Sequence, residues 1–256
     1  MRWIQLAFAL LFVTLALGAL VGRGATPEPV EHTTEFTEQA LVGVEPPDAA
    51  LANDAVVVGA AHSVVKVTNT AYSCLTIMTG SGFVVSKDRV MTNAHVVAGA
   101  DNVTVSLDGQ ELKATVVAYD PAADISVLEV PGLQAPPLAF ARDTVWKGTD
   151  AVVLGYPGGG PFVAYPARVR DVIEITAPDI YQTTFVNREV YTIRGTMRKG
   201  DSGGPLIDRD GRVLGMNFGT AAQDPEVGFV LTAKQIYPHA LHSGVSEPVA
   251  TGSCVR

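Results

Sequence analysis

The sequence offers little to a metal ion or a nucleic acid. It holds 2 cysteines and 5 histidines in 256 residues. With no CxxC pair and no His/Cys/Asp cluster at ligand spacing, neither a metal nor another cofactor is expected. Basic runs are missing too. Lys and Arg number 18 against 26 Asp and Glu, a formal charge of -8, which argues against the concentrated positive face of a nucleic-acid binder. Glycines gather in GYPGGG (155–160), but the Lys-Ser/Thr of a phosphate loop is absent, so a strand-exit turn is expected there. Aromatic residues are sparse (9 Phe, 7 Tyr, 2 Trp), yet 47% of the chain is hydrophobic. That suits a globular protein with one sizeable core or two small ones.

Charge is absent from one long stretch, Ile4 to Val21, IQLAFALLFVTLALGALV. As a helix it rises about 27 Å, against a hydrocarbon core of about 30 Å. No face is polar, which fits a buried soluble helix poorly. Residues 1–23 therefore read as a single transmembrane helix, or as a signal segment cleaved near Gly22-Arg23-Gly24. From Gly24 to Val65 no Lys or Arg occurs, while Glu28, Glu31, Glu35, Glu38, Glu45, Asp48 and Asp54 do. A flank without basic residues is the one that crosses, placing the bulk of the chain on the extracytoplasmic side of a cell membrane. With Pro27, Pro29, Pro46 and Pro47, residues 24–55 read as an acidic linker. Cys74 and Cys254 fit an oxidising compartment: pairing them closes a loop of about 180 residues, worth roughly 5 kcal/mol at most on the chain-entropy model. Two unrelated thiols are the alternative.

From residue 56 onward, short apolar runs alternate with turn residues. SVVKVTN, GSGFVVS, RVMTNAHVV, NVTVSL, LKATVVAYD and DISVLEV read as strands. After the connector PGLQAPPL come DAVVLGYP, ARVRDVIEI, QTTFVNREVYTI, GGPLID, RVLGMNF and VGFVLT. Asp108-Gly109 and Asp210-Gly211 mark hairpins. The expectation is an all-β protein of two six-stranded antiparallel barrels, residues 56–140 and 141–256, with a single β-sandwich as the other possibility. A helix closes the second unit, opened by a capping box of Thr232 and Gln235 and interrupted by Pro238.

One stretch, RKGDSGGPLI (198–207), surrounds Ser202 with Gly200, Gly203 and Gly204. Ser202 is either a nucleophile or a hydroxyl at a hairpin corner; a nucleophile needs a base, an orienter and oxyanion donors. His32 lies in the linker, His62 ahead of a strand, and His239 and His242 in the terminal helix. His95 ends the β-rich run RVMTNAHVV. A histidine so placed is often structural. Asp124, however, opens an apolar strand, where a buried carboxylate needs a donor such as an imidazole N–H. Asp124 otherwise reads as a turn residue capping Ala122 or Ala123, and Asp120 is its rival.

TNAHVV, ADISVL and GDSGGPL, in that order, resemble the three signature segments of trypsin-like serine proteases; the order His, Asp, Ser is that of the chymotrypsin fold. The resemblance implies His95 as general base, Asp124 as its orienter and Ser202 as nucleophile, with the N–H groups of Gly200 and Ser202 as the oxyanion hole. It also implies a substrate pocket with Thr196 at its base, Asn217, Phe218 and Gly219 along one wall, and Gly228 opposite. Without an Asp at the base, that pocket is expected to take a neutral apolar or aromatic residue.

From about residue 55 to the C-terminus, through MTNAHVVAGAD, AVVLGYPGGG, IRGTMRKGDSGGP and TGSCVR, the chain is similar to the membrane-anchored acid-resistance serine proteases of mycobacteria and related actinobacteria, the MarP type. In that family the matching cysteines form a disulfide, and several membrane helices precede the protease where this sequence shows one. The implied function is a membrane-tethered, periplasmic serine endopeptidase acting on proteins or peptides, its own linker among them, in envelope processing and in acid and oxidative stress. A non-proteolytic binding module on the same fold and an esterase-like acyl hydrolase are the alternatives.

Overall fold

A computed structural model describes residues 43–221, 224, 226–241 and 247–255, all within one compact unit. The apolar stretch read as an anchor, most of the linker, His32 and His242 lie outside these residues. Among the described residues no helix is long and apolar enough to cross a membrane.

Strands β1 (Val64–Ala71), β2 (Thr76–Ser86), β3 (Arg89–Thr92), β4 (Asn102–Leu107), β5 (Gln110–Asp120) and β6 (Ile125–Glu129) close a barrel in the order β1-β2-β3-β6-β5-β4. A second barrel, ordered β10-β11-β12-β9-β8-β7, is built from β7 (Asp150–Gly155), β8 (Val163–Pro178), β9 (Phe185–Gly195), β10 (Pro205–Ile207), β11 (Val213–Thr220) and β12 (Val227–Thr232). Two closed barrels replace the sandwich alternative and leave no long edge for stray pairing. The period-two pattern explains the burial: in β4, Val103, Val105 and Leu107 face inward while Asn102, Thr104 and Ser106 are half-exposed. At the β4–β5 hairpin, Asp108 and Gly109 have φ of 49° and 81°; two positive values in succession are what a type I′ turn requires.

The barrels share a core. Phe83, Met91, Ile125 and Val127 of the first pack with Val190, Val213, Met216 and Leu231 of the second and with Ile236, each fully buried aliphatic or aromatic side chain contributing roughly 1.5–3 kcal/mol. Ile236 belongs to the terminal helix α3 (Ala233–Leu241), the third helix in chain order after α1 (Ala55–Ala61) and α2 (Ala94–Val97). Only half of the expected capping box forms: Gln235 N–H donates to Thr232 Oγ1 at 3.2 Å, while the Gln235 carbonyl oxygen accepts from Glu189 N–H at 3.4 Å instead.

The linker boundary expected at residue 55 is corrected. Asp48 caps a 3-10 turn, Ala49–Asn53, and Asp54 caps α1. These aspartates, read as linker charge, are helix starters. Leu51, Val57 and Ala60 are buried against Val152, Leu154 and Ile207, so this segment packs on the second barrel before the chain enters the first. The C-terminal tail does the converse. Val249 N–H donates to Val116 O at 2.9 Å, Gly99 N–H donates to Thr251 O at 3.0 Å, and Cys254 is disulfide-bonded to Cys74 at a Cα–Cα distance of 6.5 Å.

Candidate active site

His95 was expected at a strand end. The sheet instead stops at Thr92, and Ala94–Val97 form the short helix α2. Val96 and Val97, good strand formers, are buried there against the first barrel's core; their packing outweighs intrinsic propensity. The turn brings His95 onto Asp124 by two bonds. Its backbone N–H donates to Oδ1 at 2.9 Å, and its Nδ1 lies 2.8 Å from Oδ2. Asp124 is 4% exposed with φ 61°, a left-handed geometry that Asp tolerates better than most residues. Asn93 Nδ2 donates to the Asp124 carbonyl at 2.9 Å. The rival, Asp120, takes the turn-capping role: its Oδ1 accepts from Ala122 N–H at 3.0 Å and Ala123 N–H at 2.9 Å. Burial pulls the His95 pKa down, but the charge and hydrogen bond of Asp124 push it up, leaving it above its ordinary 6.5.

Ser202 comes from the second barrel. Its carbonyl accepts from Ser81 N–H of the first barrel at 2.8 Å, and the following glycines bond β11: Gly203 N–H donates to Asn217 O and Asn217 N–H to Gly204 O, both at 2.9 Å. Gly203 (φ 85°) has Ser81 O and Thr92 Oγ1 where a Cβ would stand, and Asn93 N would lie 3.1 Å from it. The Ser202 turn therefore presses directly on the entry to the His95 helix. The ring's hydrogen bond is to Asp124, and the Ser202 hydroxyl makes none among the described residues. Unliganded sites often show this; the catalytic bond tightens when substrate arrives.

Oxyanion donors depend on one peptide plane. Lys199 O accepts from Gly158 N–H at 2.7 Å. In a trans peptide the next N–H points the opposite way, so Gly200 N–H faces away from the 157–159 turn. Gly200 has φ 101°, and a Cβ there would lie 2.6 Å from both Gly158 N and Tyr156 O; only glycine fits. Neither Gly200 N–H nor Ser202 N–H donates to another described residue. GYPGGG is thus the strand-exit turn expected of it, and it also braces the loop carrying these donors.

Ser81, unmarked in the sequence, is the hub of this brace. Fully buried, its hydroxyl donates to Gly200 O at 2.6 Å and accepts from Tyr156 N–H at 2.8 Å. The only trace in the sequence is a strand with glycine on both sides of a serine. Asp201 is also fully buried. Its Oδ2 accepts from Arg198 N–H at 2.8 Å, its Oδ1 has no partner, and burial pushes its pKa up to about 6.

The residues expected around the substrate pocket differ in exposure. Thr196, assigned to the base, is exposed. Met197 is buried instead, and its Sδ stands where a Cβ on Gly228 would go. Asn217 is fully buried, with both side-chain amide atoms unpartnered. Phe218 packs on Phe229 at a centroid distance of 6.3 Å beside Gly219.

A sequence profile described as the trypsin-like peptidase domain matches residues 80–216, the span that carries His95, Asp124 and Ser202. The chain belongs to the trypsin-like peptidases. This peptidase is 49% identical over 240 residues to the serine protease Rv3671c of Mycobacterium tuberculosis H37Rv, covering 93% of the present chain and 60% of the relative. It thus spans less than two thirds of that protein's length. Among solved structures it is similar to the Rv3671c protease in its active form (52% identity, TM-score 0.83, covering 84% of this chain and 95% of that one). An inactive form of the same protease matches with 51% identity and TM-score 0.72, covering 80% and 100%. The resemblance to the MarP type is borne out, as is the all-β two-barrel fold with its terminal helix.

Proposed function

We propose that this peptidase hydrolyses peptide bonds through an acyl-enzyme. His95 takes the proton from the Ser202 hydroxyl as its oxygen attacks the carbonyl, and later returns it to the leaving amine. Asp124 holds the imidazole through Nδ1 and stabilises the imidazolium. Gly200 N–H and Ser202 N–H receive the developing oxyanion, each such donor being worth about 2.7–4 kcal/mol in the transition state. The observation that carries the reading is His95 bound twice by a buried aspartate, beside a nucleophile turn whose two N–H groups are uncommitted. The residue before the cut is expected to be neutral and apolar, since Met197 and Gly228 offer no charge, with Phe218 and Gly219 at the rim.

The wider setting belongs to the same proposal. Residues 1–23 form a single-pass anchor, the protease faces the periplasmic side, and its substrates are envelope proteins or its own linker under acid and oxidative stress. Support comes from the uncharged stretch Ile4–Val21 and the acidic, Lys/Arg-free flank that follows. A fluorophosphonate probe and an intact protein substrate test the chemistry together. Labelling and cleavage, both lost in Ser202→Ala, are expected. No labelling of the wild type would leave a binding module, and labelling with ester but no peptide turnover an acyl hydrolase.

A further inference from the structure

Arg188 on β9 is 4% exposed and lies against the loop that carries the candidate catalytic aspartate. Its Nη2 donates to Ala122 O at 2.5 Å, and Nη1 and Nη2 donate to Pro178 O at 3.2 and 3.3 Å. Its Nε has no partner. The guanidinium spans the two barrels: Ala122 sits in the β5–β6 loop of the first, Pro178 at the end of β8 in the second. Next to it, Ile180 N–H donates to Pro121 O at 3.3 Å, a second tie between the same two loops.

A guanidinium whose hydrogen bonds go to carbonyls alone is costly to bury, because among the described residues no carboxylate is bonded to it. The carboxylates whose charge it feels are Asp124 first, then Asp179 and Asp120. Asp124 in turn is bonded to His95, and beside burial its charge helps hold up the pKa of Tyr119, whose hydroxyl is 2.6 Å from that of Tyr181. Asp120 faces His239 at 3.8 Å. Asp179 is held by Thr183 and by the N–H of Tyr181. Arg188 is the cation common to these three aspartates.

We propose that Arg188 is a positioning residue for the reaction: its buried guanidinium holds the 120–124 loop by the Ala122 carbonyl and so keeps Asp124 in place against His95. The inference rests on the triad reading above. Losing the hydrogen-bonded fork lets the loop shift, which reduces turnover and leaves substrate binding little affected, because the loop carries Asp124 rather than a substrate contact.

The test measures kcat and KM for a neutral peptide in Arg188→Met and Arg188→Lys of the full chain, per active site titrated with a fluorophosphonate so that unfolded molecules drop out. Arg188→Met is expected to lose about 10²-fold in kcat, the size of a misplaced catalytic group, with KM little changed. Arg188→Lys keeps a donor for the Ala122 carbonyl and is expected to recover most of that loss. Should Arg188→Met give no folded protein, Arg188→Gln carries the same expectation. A kcat within twofold of wild type in the uncharged variant, or an Arg188→Lys no better than Arg188→Met, overturns the proposal. Ser202→Ala and His95→Ala separate the two failures: activity surviving in either one sinks the triad itself, whereas their inactivity beside an indifferent Arg188 sinks only this inference.

Discussion

Replacing Asp201 by Asn should make the protein relatively more stable as pH rises, and the size follows from burial. Asp201 is fully buried with one oxygen unpartnered, and its pKa is pushed from 3.8 up to about 6. Because the folded pKa lies above the unfolded one, the native state binds this proton more tightly. The stabilising contribution is complete below 3.8 and is lost as pH climbs through about 6. A difference of about two in pKa, at about 1.36 kcal/mol each, amounts to about 3 kcal/mol. The amide of the variant keeps the bond from Arg198 N–H through its oxygen but does not titrate. Urea unfolding in a Ser202→Ala background, which prevents self-digestion, gives the comparison. The stability difference between the two proteins should move in favour of Asp201→Asn by about 3 kcal/mol from roughly pH 3.5 to pH 7.5. His95 titrates in both and cancels. Two stability curves running parallel over that range would refute the reasoning, whatever their separation. If it holds, this buried acid favours the fold under acid conditions, the reverse of ordinary acid denaturation.

Other outcomes follow from the same geometry. Gly200→Ala forces a side chain onto Tyr156 O and Gly158 N and should cost about 10²–10³-fold in kcat, the loss typical of one oxyanion donor; steady-state kinetics with kcat near wild type would contradict the peptide-plane argument. Turnover should fall as pH drops through the raised His95 pKa, since the protonated ring cannot act as base; a flat profile from about pH 8 to pH 5 counts against His95. Cys74→Ser with Cys254→Ser should lose up to about 5 kcal/mol of unfolding free energy, read by urea titration, with the larger activity loss under acid and oxidative stress. A peptide library should favour neutral apolar residues before the cut, and dominant cleavage after Arg or Lys would remove Met197 and Gly228 as its determinants.

Strands with clean alternation were legible in the sequence. The bounds of β4 coincide with NVTVSL, whose residues alternate between buried and half-exposed, and those of β12 with VGFVLT, a short apolar run buried along its whole length. The three candidate catalytic residues were picked out by their local segments, and two of them, His95 and Asp124, are hydrogen-bonded to each other. What escaped were residues whose meaning lies in a distant partner. The hydroxyl of Ser81 meets Gly200, 119 positions away, and Arg188 meets Ala122, 66 positions away. No local pattern encodes such pairings. The helix at His95 was hidden for a different reason, since Val96 and Val97 favour strands and only tertiary packing bends them out of the sheet. Asp48 and Asp54 passed as linker charge because a capping aspartate is recognisable only beside a visible helix.

The two ends of the described chain are crossed. Leu51 and Val57 grip the second barrel before the first has been built, and the tail around Thr251 returns to the first after the second is complete. Each half is therefore buckled to the other by a segment from the far end of the sequence. A backbone cut in the connector between β6 and β7 would divide the polypeptide and still leave the two barrels together, joined by the Cys74–Cys254 bond and by the seam of side chains running from Phe83 to Leu231.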